Sequence, residues 1–174
     1  MFEPDPSSIA VEDGFIRLAG PLGSDSIVDG EGLRAVLFTQ GCRRNCEGCQ
    51  NPETFDETAG ILISIDEIKE RLGSMKGQAG ITFSGGEPML QAKALTNLAK
   101  WVKNELGWNV WCFTGYTHET LKELDDEKMD LVKECDVLID GPFILEQKDL
   151  TCRFRGSKNQ RLLRLKNGEI LNIE

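Results

Sequence analysis

Leu33-Arg34-Ala35-Val36-Leu37-Phe38-Thr39-Gln40-Gly41-Cys42-Arg43-Arg44-Asn45-Cys46-Glu47-Gly48-Cys49 sets an apolar run directly before a CxxxCxxC loop. The run Leu33 to Thr39 reads as a strand, so the three thiols stand at a strand's end. Three thiolates on one short loop grip a metal centre but leave a four-coordinate site one ligand short. Bridging Cys46 to Cys49 would close a very small, strained ring, so ligation is the better reading. Structural zinc would need a fourth ligand, and His118, the only histidine, and Cys152 are the candidates. Zinc sites usually pair their ligands in two CxxC-like knuckles, whereas one set of three suits a [4Fe-4S] cluster with an uncapped iron.

Working outward, Phe15 to Gly20 reads as a short strand, followed by a Gly- and Asp-rich loop from Gly23 to Gly32. Ser64-Ile65-Asp66-Glu67 is a capping box that opens a helix running to about Met75. Gly80 to Ser84 is a short apolar strand ending in Gly85-Gly86-Glu87-Pro88, and Met89 to Leu106 has helical periodicity closed by Gly107. Asn109 to Phe113 is the next strand, then Thr114-Gly115-Tyr116-Thr117 and a polar helical stretch from His118 to Glu134, with a break near Asp125. Asp136 to Asp140 is a strand ending in Gly141-Pro142. Arg161 to Lys166 and Glu169 to Ile173 flank an Asn167-Gly168 turn and read as a hairpin.

Strands alternating with helices imply parallel βα units. The fold expected is α/β, an incomplete (β/α) barrel or a curved, mainly parallel sheet with a C-terminal hairpin. At 174 residues the chain falls short of the roughly 250 of a complete eight-fold barrel. One domain spanning 1–174 is expected, with an N-terminal strand and loop at 1–32, the cluster loop at 41–50 and the core at 33–165. The four polar segments after the strands should meet at the C-terminal edge of the sheet, where α/β proteins bind ligands. In that setting Gly85 and Gly86 let the backbone approach a ligand, and Glu87 offers an acceptor to a cationic amino group. A plain strand-to-helix turn, with Pro88 in the first helical turn, is the alternative.

The charge of −9, from 20 basic and 29 acidic residues, disfavours nucleic-acid and anionic-membrane partners. No run approaches transmembrane length, and Met1 to Pro6 lack the basic and apolar regions of a secretory signal, so a cytoplasmic protein is expected. There six cysteines are not a disulfide framework. Cys112 and Cys135 read as buried thiols; for Cys152, a free exposed thiol and a redox-sensitive one both stay open. His118 reads as a helix-start or surface residue, and Glu119 to Glu134 as a solvated helix face.

CxxxCxxC after one strand followed by Gly-Gly-Glu-Pro after the next resembles the radical S-adenosylmethionine enzymes. Ser26 to Gly30, Cys49 to Asp56 and Thr82 to Pro88 look like the glycyl-radical-enzyme activases. Asp136 to Phe143 with Arg153 to Arg161 resembles the subgroup that activates anaerobic (class III) ribonucleotide reductase, and the likeness spans roughly residues 24 to 165. The resemblance implies that Cys42, Cys46 and Cys49 hold one [4Fe-4S] cluster and that S-adenosyl-L-methionine binds its fourth iron. It places Gly85, Gly86 and Glu87 at the methionyl amino group, Thr114, Asp140 and Asn159 along the nucleoside and methionyl parts, and Tyr116 and Arg155 more loosely. Its implied partners are the catalytic subunit of anaerobic ribonucleotide reductase and a reduced flavodoxin or ferredoxin-type donor. The implied reaction is reductive cleavage of the sulfonium, the resulting radical taking a hydrogen from a glycine of the reductase; no side-chain catalyst is required. Another glycyl radical enzyme or a small molecule as target is the runner-up, and a zinc-stabilised non-catalytic module the reading from another class. Two departures stand out: Gly48, where the wider superfamily often has an aromatic residue, and Glu31, where many activases have proline.

Overall fold

The computed structural model describes residues 4–174; Met1 to Glu3, part of the stretch read for a secretory signal, lie outside the described residues. The chain first forms β1 (Phe15–Leu18), β2 (Gly23–Ser26), β3 (Arg34–Thr39), β4 (Ile61–Ser64) and α1 (Ile65–Ser74). Next come β5 (Gly80–Gly85), α2 (Ala92–Trp101), β6 (Asn109–Phe113), α3 (His118–Leu124), α4 (Asp126–Glu134) and β7 (Val137–Asp140), and then the hairpin β8 (Arg161–Lys166) and β9 (Glu169–Ile173).

Local chemistry accounts for the boundaries. Ser64 accepts a bond from the Glu67 N–H at 3.1 Å, which is the first half of the capping box. The second half does not form, because the Glu67 carboxylate pairs with Arg71 one turn on, at 2.5 Å. The helix expected over 89–106 is compound: a 3-10 turn at Pro88–Gln91, α2, and a π turn at Val102–Leu106, closed by Gly107 at φ +65°. The expected break at Asp125 is present, since that residue is extended and its side chain caps α4 at the Lys128 N–H. β2 and β4 were not anticipated. Gly23–Ser26 has no apolar alternation, and Ile61–Ser64 runs without a break into α1.

The sheet order is β4-β1-β3-β5-β6-β7-β8-β9, with β2 also paired to β3. β3, β5, β6 and β7 are parallel neighbours, and the pairings flanking them are antiparallel. The sheet is therefore mixed rather than mainly parallel, and it is open, with β4 and β9 at its edges, rather than closed into a barrel. The reason lies in the connections. Parallel neighbours need a long crossover, which α1, α2 and the α3–α4 pair supply, whereas residues 141–160 contain no α-helix and β8 returns antiparallel to β7. The C-terminal hairpin is as expected, with Asn167 and Gly168 at φ +51° and +80°. Among the described residues no helix is long and apolar enough to cross a membrane.

Alternate residues of the strands face opposite sides. Leu37, Phe83, Cys112 and Leu138 join Leu95, Leu98, Leu121 and Leu131 in the larger core, beneath the helices. Trp111, Val137, Ile139 and Leu162 form a smaller cluster on the other face, and Phe154 meets Trp111 edge-on at 5.2 Å. Arg34 is fully buried beside Trp111, its guanidinium 5.1 Å from the ring. It donates to Thr82 Oγ1 at 2.7 Å, Ile81 O at 2.8 Å and Glu31 O at 3.0 Å, while the Thr82 hydroxyl bonds Asp29 O at 2.7 Å. Burial lowers the Arg34 pKa to about 10, so it stays charged at neutral pH. Arg34→Ala should lower the unfolding free energy by about 3 kcal/mol or more, because it opens a cavity and strands buried acceptors. Anaerobic urea denaturation checks this, and a loss below about 1 kcal/mol would refute it.

Candidate functional site

The loop 40–56 returns on itself. Gly41 N–H bonds Thr54 O at 2.8 Å, the Gln40 amide spans Glu53 O and Asp56 O at 2.9 and 2.7 Å, and Cys49 N–H bonds Cys46 O at 3.1 Å. This backbone turns Cys42, Cys46 and Cys49 into one cavity of about 500 Å³. Gly85, Gly86, Glu87, Thr114 and Gly115 line the same cavity, as do Gly141, Phe143, Cys152 and Arg155. Four strand ends therefore contribute, which is the convergence expected of the parallel segment.

Gly48 is explained by its backbone and its neighbour. The φ of Gly48 is +71°, a conformation that favours glycine, and the side chain of Leu145 lies over the open position, 2.8 Å from where a Cβ would stand. At the next strand end, a Cβ on Gly85 would meet Thr39 N at 2.6 Å and one on Gly86 would meet Gly41 O at 2.4 Å. Both glycines press against the exit of β3, held by Gly86 N–H to Thr39 O at 2.8 Å and Glu87 N–H to Gly41 O at 2.9 Å.

Glu87 is buried, and its carboxylate accepts the Thr114 hydroxyl at 2.8 Å, Gly115 N–H at 2.8 Å and Met89 N–H at 3.1 Å. Arg44 Nε stands 3.9 Å from Oε2. Burial pushes the Glu87 carboxyl upward, opposed first by Arg44 and then by the hydrogen bonds. The acceptor foreseen for a ligand's amino group is thus already engaged by the chain's own donors. Burial, assisted by the Glu87 charge, pushes the Cys42 thiol up to about 12, and burial also raises Cys46, with Arg44 opposing. Thiols in such surroundings keep their protons until a metal centre replaces them.

This donor set fits an iron-sulfur cluster: three thiols lie on one wall of a cavity large enough for a small cofactor as well. Among the described residues, no group of three His, Cys, Asp or Glu side chains is arranged to hold a single metal ion. His118 is buried at the start of α3 rather than on the surface, with Nε2 2.7 Å from Gly168 O. Residues 28–163 match the family described as a 4Fe-4S single cluster domain. Proteins named anaerobic ribonucleoside-triphosphate reductase-activating protein are similar along most of the chain. That of Haemophilus influenzae is 37% identical, covering 80% of this chain and 93% of its own length. The Vibrio cholerae protein is 38% identical over 77% and 89%, and that of phage T4 36% over 78% and 86%. The chain belongs to the family of anaerobic ribonucleoside-triphosphate reductase-activating proteins.

Within this member of the family, the remaining residues singled out in the sequence divide. Thr114 lines the cavity but spends its hydroxyl on Glu87. Arg155 lines it too, donates to Gln160 O and Glu174 O, and has a buried Nε with no hydrogen-bond partner among the described residues. Asn159 donates to Pro142 O at 2.7 Å and leaves Oδ1 buried without such a partner. Asp140 is fully buried at the end of β7, bonded to His118 N–H and Arg161 and outside the residues lining the cavity. Tyr116 is buried under the Arg44 guanidinium. Arg44, Phe143 and Phe154 were not foreseen, because a polar loop and isolated aromatics carry no periodic signal.

Arg161 also forks onto Glu119 at 3.1 and 2.7 Å, and those bonds hold the Glu119 carboxyl at about 2, below its ordinary 4.5. A depressed carboxyl stabilises the fold above its unfolded pKa and loses that contribution as pH falls through the folded value. Glu119→Gln should lower the melting temperature at neutral pH by up to about 3 °C, since this pair is largely exposed. The deficit should shrink between about pH 4.5 and 2. Melting curves across that window check it; a deficit independent of pH would contradict the assignment.

Proposed function

We propose that this chain activates the catalytic subunit of an anaerobic ribonucleotide reductase by generating a glycyl radical on it. One [4Fe-4S] cluster on Cys42, Cys46 and Cys49 and S-adenosyl-L-methionine at the uncapped iron are its cofactors. The observation that carries this reading is the meeting of the three thiols with Gly85, Gly86 and Glu87 around one cavity. The names of its relatives supply the reductase as target in preference to another glycyl radical enzyme or a small molecule. When bound, the cluster supplies the electron that cleaves the sulfonium and so yields the radical that takes a hydrogen from a glycine Cα of the partner.

The chain's own residues bind and shield. Gly85 and Gly86 bring bare backbone to the place of the methionyl amino group, and Glu87 keeps that backbone in position by bonding Thr114 and Gly115. Phe113, Phe143 and Phe154 line the cavity and keep water from a reactive intermediate. Arg155 lines the cavity and would present a cation to the cofactor's carboxylate, while Asn159, outside the lining, keeps a buried acceptor that is unpartnered among the described residues. Asp140 acts at one remove, holding Arg161 and the start of α3. We place the activity in one domain with its core at 33–165, in the reducing cytoplasm, and assign electron delivery to a reduced flavodoxin or ferredoxin-type donor.

Anaerobic reconstitution with iron and sulfide should give a protein that cleaves S-adenosylmethionine when reduced and raises a glycyl radical signal on an added anaerobic reductase. Cys46→Ala should lower cleavage by at least about 100-fold, in line with loss of a metal ligand or its support. Full cleavage by that variant, or one zinc and no iron in anaerobically purified protein, would refute the proposal.

A further inference from the structure

Arg44 lies between two of the three cysteines, its side chain is only 7% exposed, and it lines the cavity. Among the described residues, groups from other strand ends receive it. Its Nε is 3.9 Å from the buried Glu87 carboxylate, and its guanidinium carbon is 4.3 Å from the centre of the buried Tyr116 ring. A further contact is made by an absence: a Cβ on Gly115 would lie 2.2 Å from Arg44 Cδ and 2.4 Å from Nε. Only glycine at 115 lets the arginine lie across this strand end. The planar guanidinium suits such a seat, since it stacks on an aromatic face while keeping its charge, which a lysine ammonium does less well.

The position has an electrostatic consequence. With a cluster bound, three thiolates and Glu87 would gather negative charge around one cavity, and an added electron would raise that charge further. The potential of an iron-sulfur centre follows its net charge, its hydrogen bonds and its exposure, so a fixed cation here favours the reduced state. We propose that Arg44 is a positioning residue of the cluster site, which ties the cysteine loop to Glu87 and Tyr116 and offsets the buried carboxylate so that the cluster accepts its electron more readily. This rests on the reading that the three cysteines carry a [4Fe-4S] cluster.

The test is a redox titration, followed by electron paramagnetic resonance, of the full chain reconstituted anaerobically without S-adenosylmethionine, with iron and sulfide content and melting temperature measured alongside. Arg44→Gln should load the cluster but titrate at a more negative potential, by about 59 mV for a tenfold fall in the reduced-to-oxidised ratio of a one-electron couple. Arg44→Lys should recover most of that shift. In Arg44→Gln/Glu87→Gln the potential should return toward wild type, because the charge being offset is gone as well. Glu87→Gln alone, which keeps the cation and removes its counter-charge, should titrate higher than wild type, and it decides the matter if Arg44→Gln does not load. A loaded Arg44→Gln protein at the wild-type potential, even one less stable, would overturn the proposal, as would an unchanged Glu87→Gln. Failure of the wild-type chain to build a cluster would instead bring down the reading beneath it, which iron and sulfide content reveal before any titration.

Discussion

Burying a carboxylate away from water is costly unless every side of it is matched, and at Glu87 the matching partners come from three places. Met89 N–H belongs to its own turn, the Thr114 hydroxyl and Gly115 N–H to the loop after β6, and Arg44 to the cysteine loop after β3. No one of these segments can shift without stranding a buried charge. Glu87 therefore joins three strand exits into one wall. The motif residue is as much a structural knot as a cavity-lining group.

Glycine placement follows from the same crowding. Gly86 admits the carbonyl of Gly41, Gly115 admits the arginine, and Gly48 makes way for Leu145. Each is a close approach of neighbouring chain or side chain that a Cβ would block, so the glycines bring the loops near enough for the cysteines and the Gly85-Gly86 backbone to share one cavity. Elsewhere on the cavity, Arg34 bonds Glu31 O and the Thr82 hydroxyl, and that hydroxyl bonds the carbonyl of Asp29, a lining residue, so the loop before β3 is tied to β5.

The central βα units, the cysteine loop and the C-terminal hairpin were legible because each has a local cause: an apolar run, a capping serine, an Asn-Gly turn. The flanks were not. β4 is a short edge strand that merges with a helix start, and β2 is a polar tetrapeptide held by pairing to β3. Neither has a periodic pattern, so only the partner strand defines it. The openness of the sheet was equally hidden, since it depends on whether residues 141–160 form a crossover helix, and they do not.

For the site, spacing in the chain was enough to name Cys42, Cys46 and Cys49 and to associate them with Gly85, Gly86 and Glu87, because ligand number and strand-end position are properties of the sequence. Thr114, expected in the segment after β6, does line the cavity, as does Arg155 from the long loop between β7 and β8, which the resemblance had offered only loosely. What each side chain does there was a tertiary matter. Asp140 turns its carboxylate to Arg161, Thr114 spends its hydroxyl on Glu87, and Arg44, which no motif singled out, is a buried cation of the cavity. The sequence by itself determined which chemically capable side chains are present and at which edge of the sheet they stand. Only the folded structure decided which charges face one another, because desolvation and pairing depend on neighbours brought together from far along the chain.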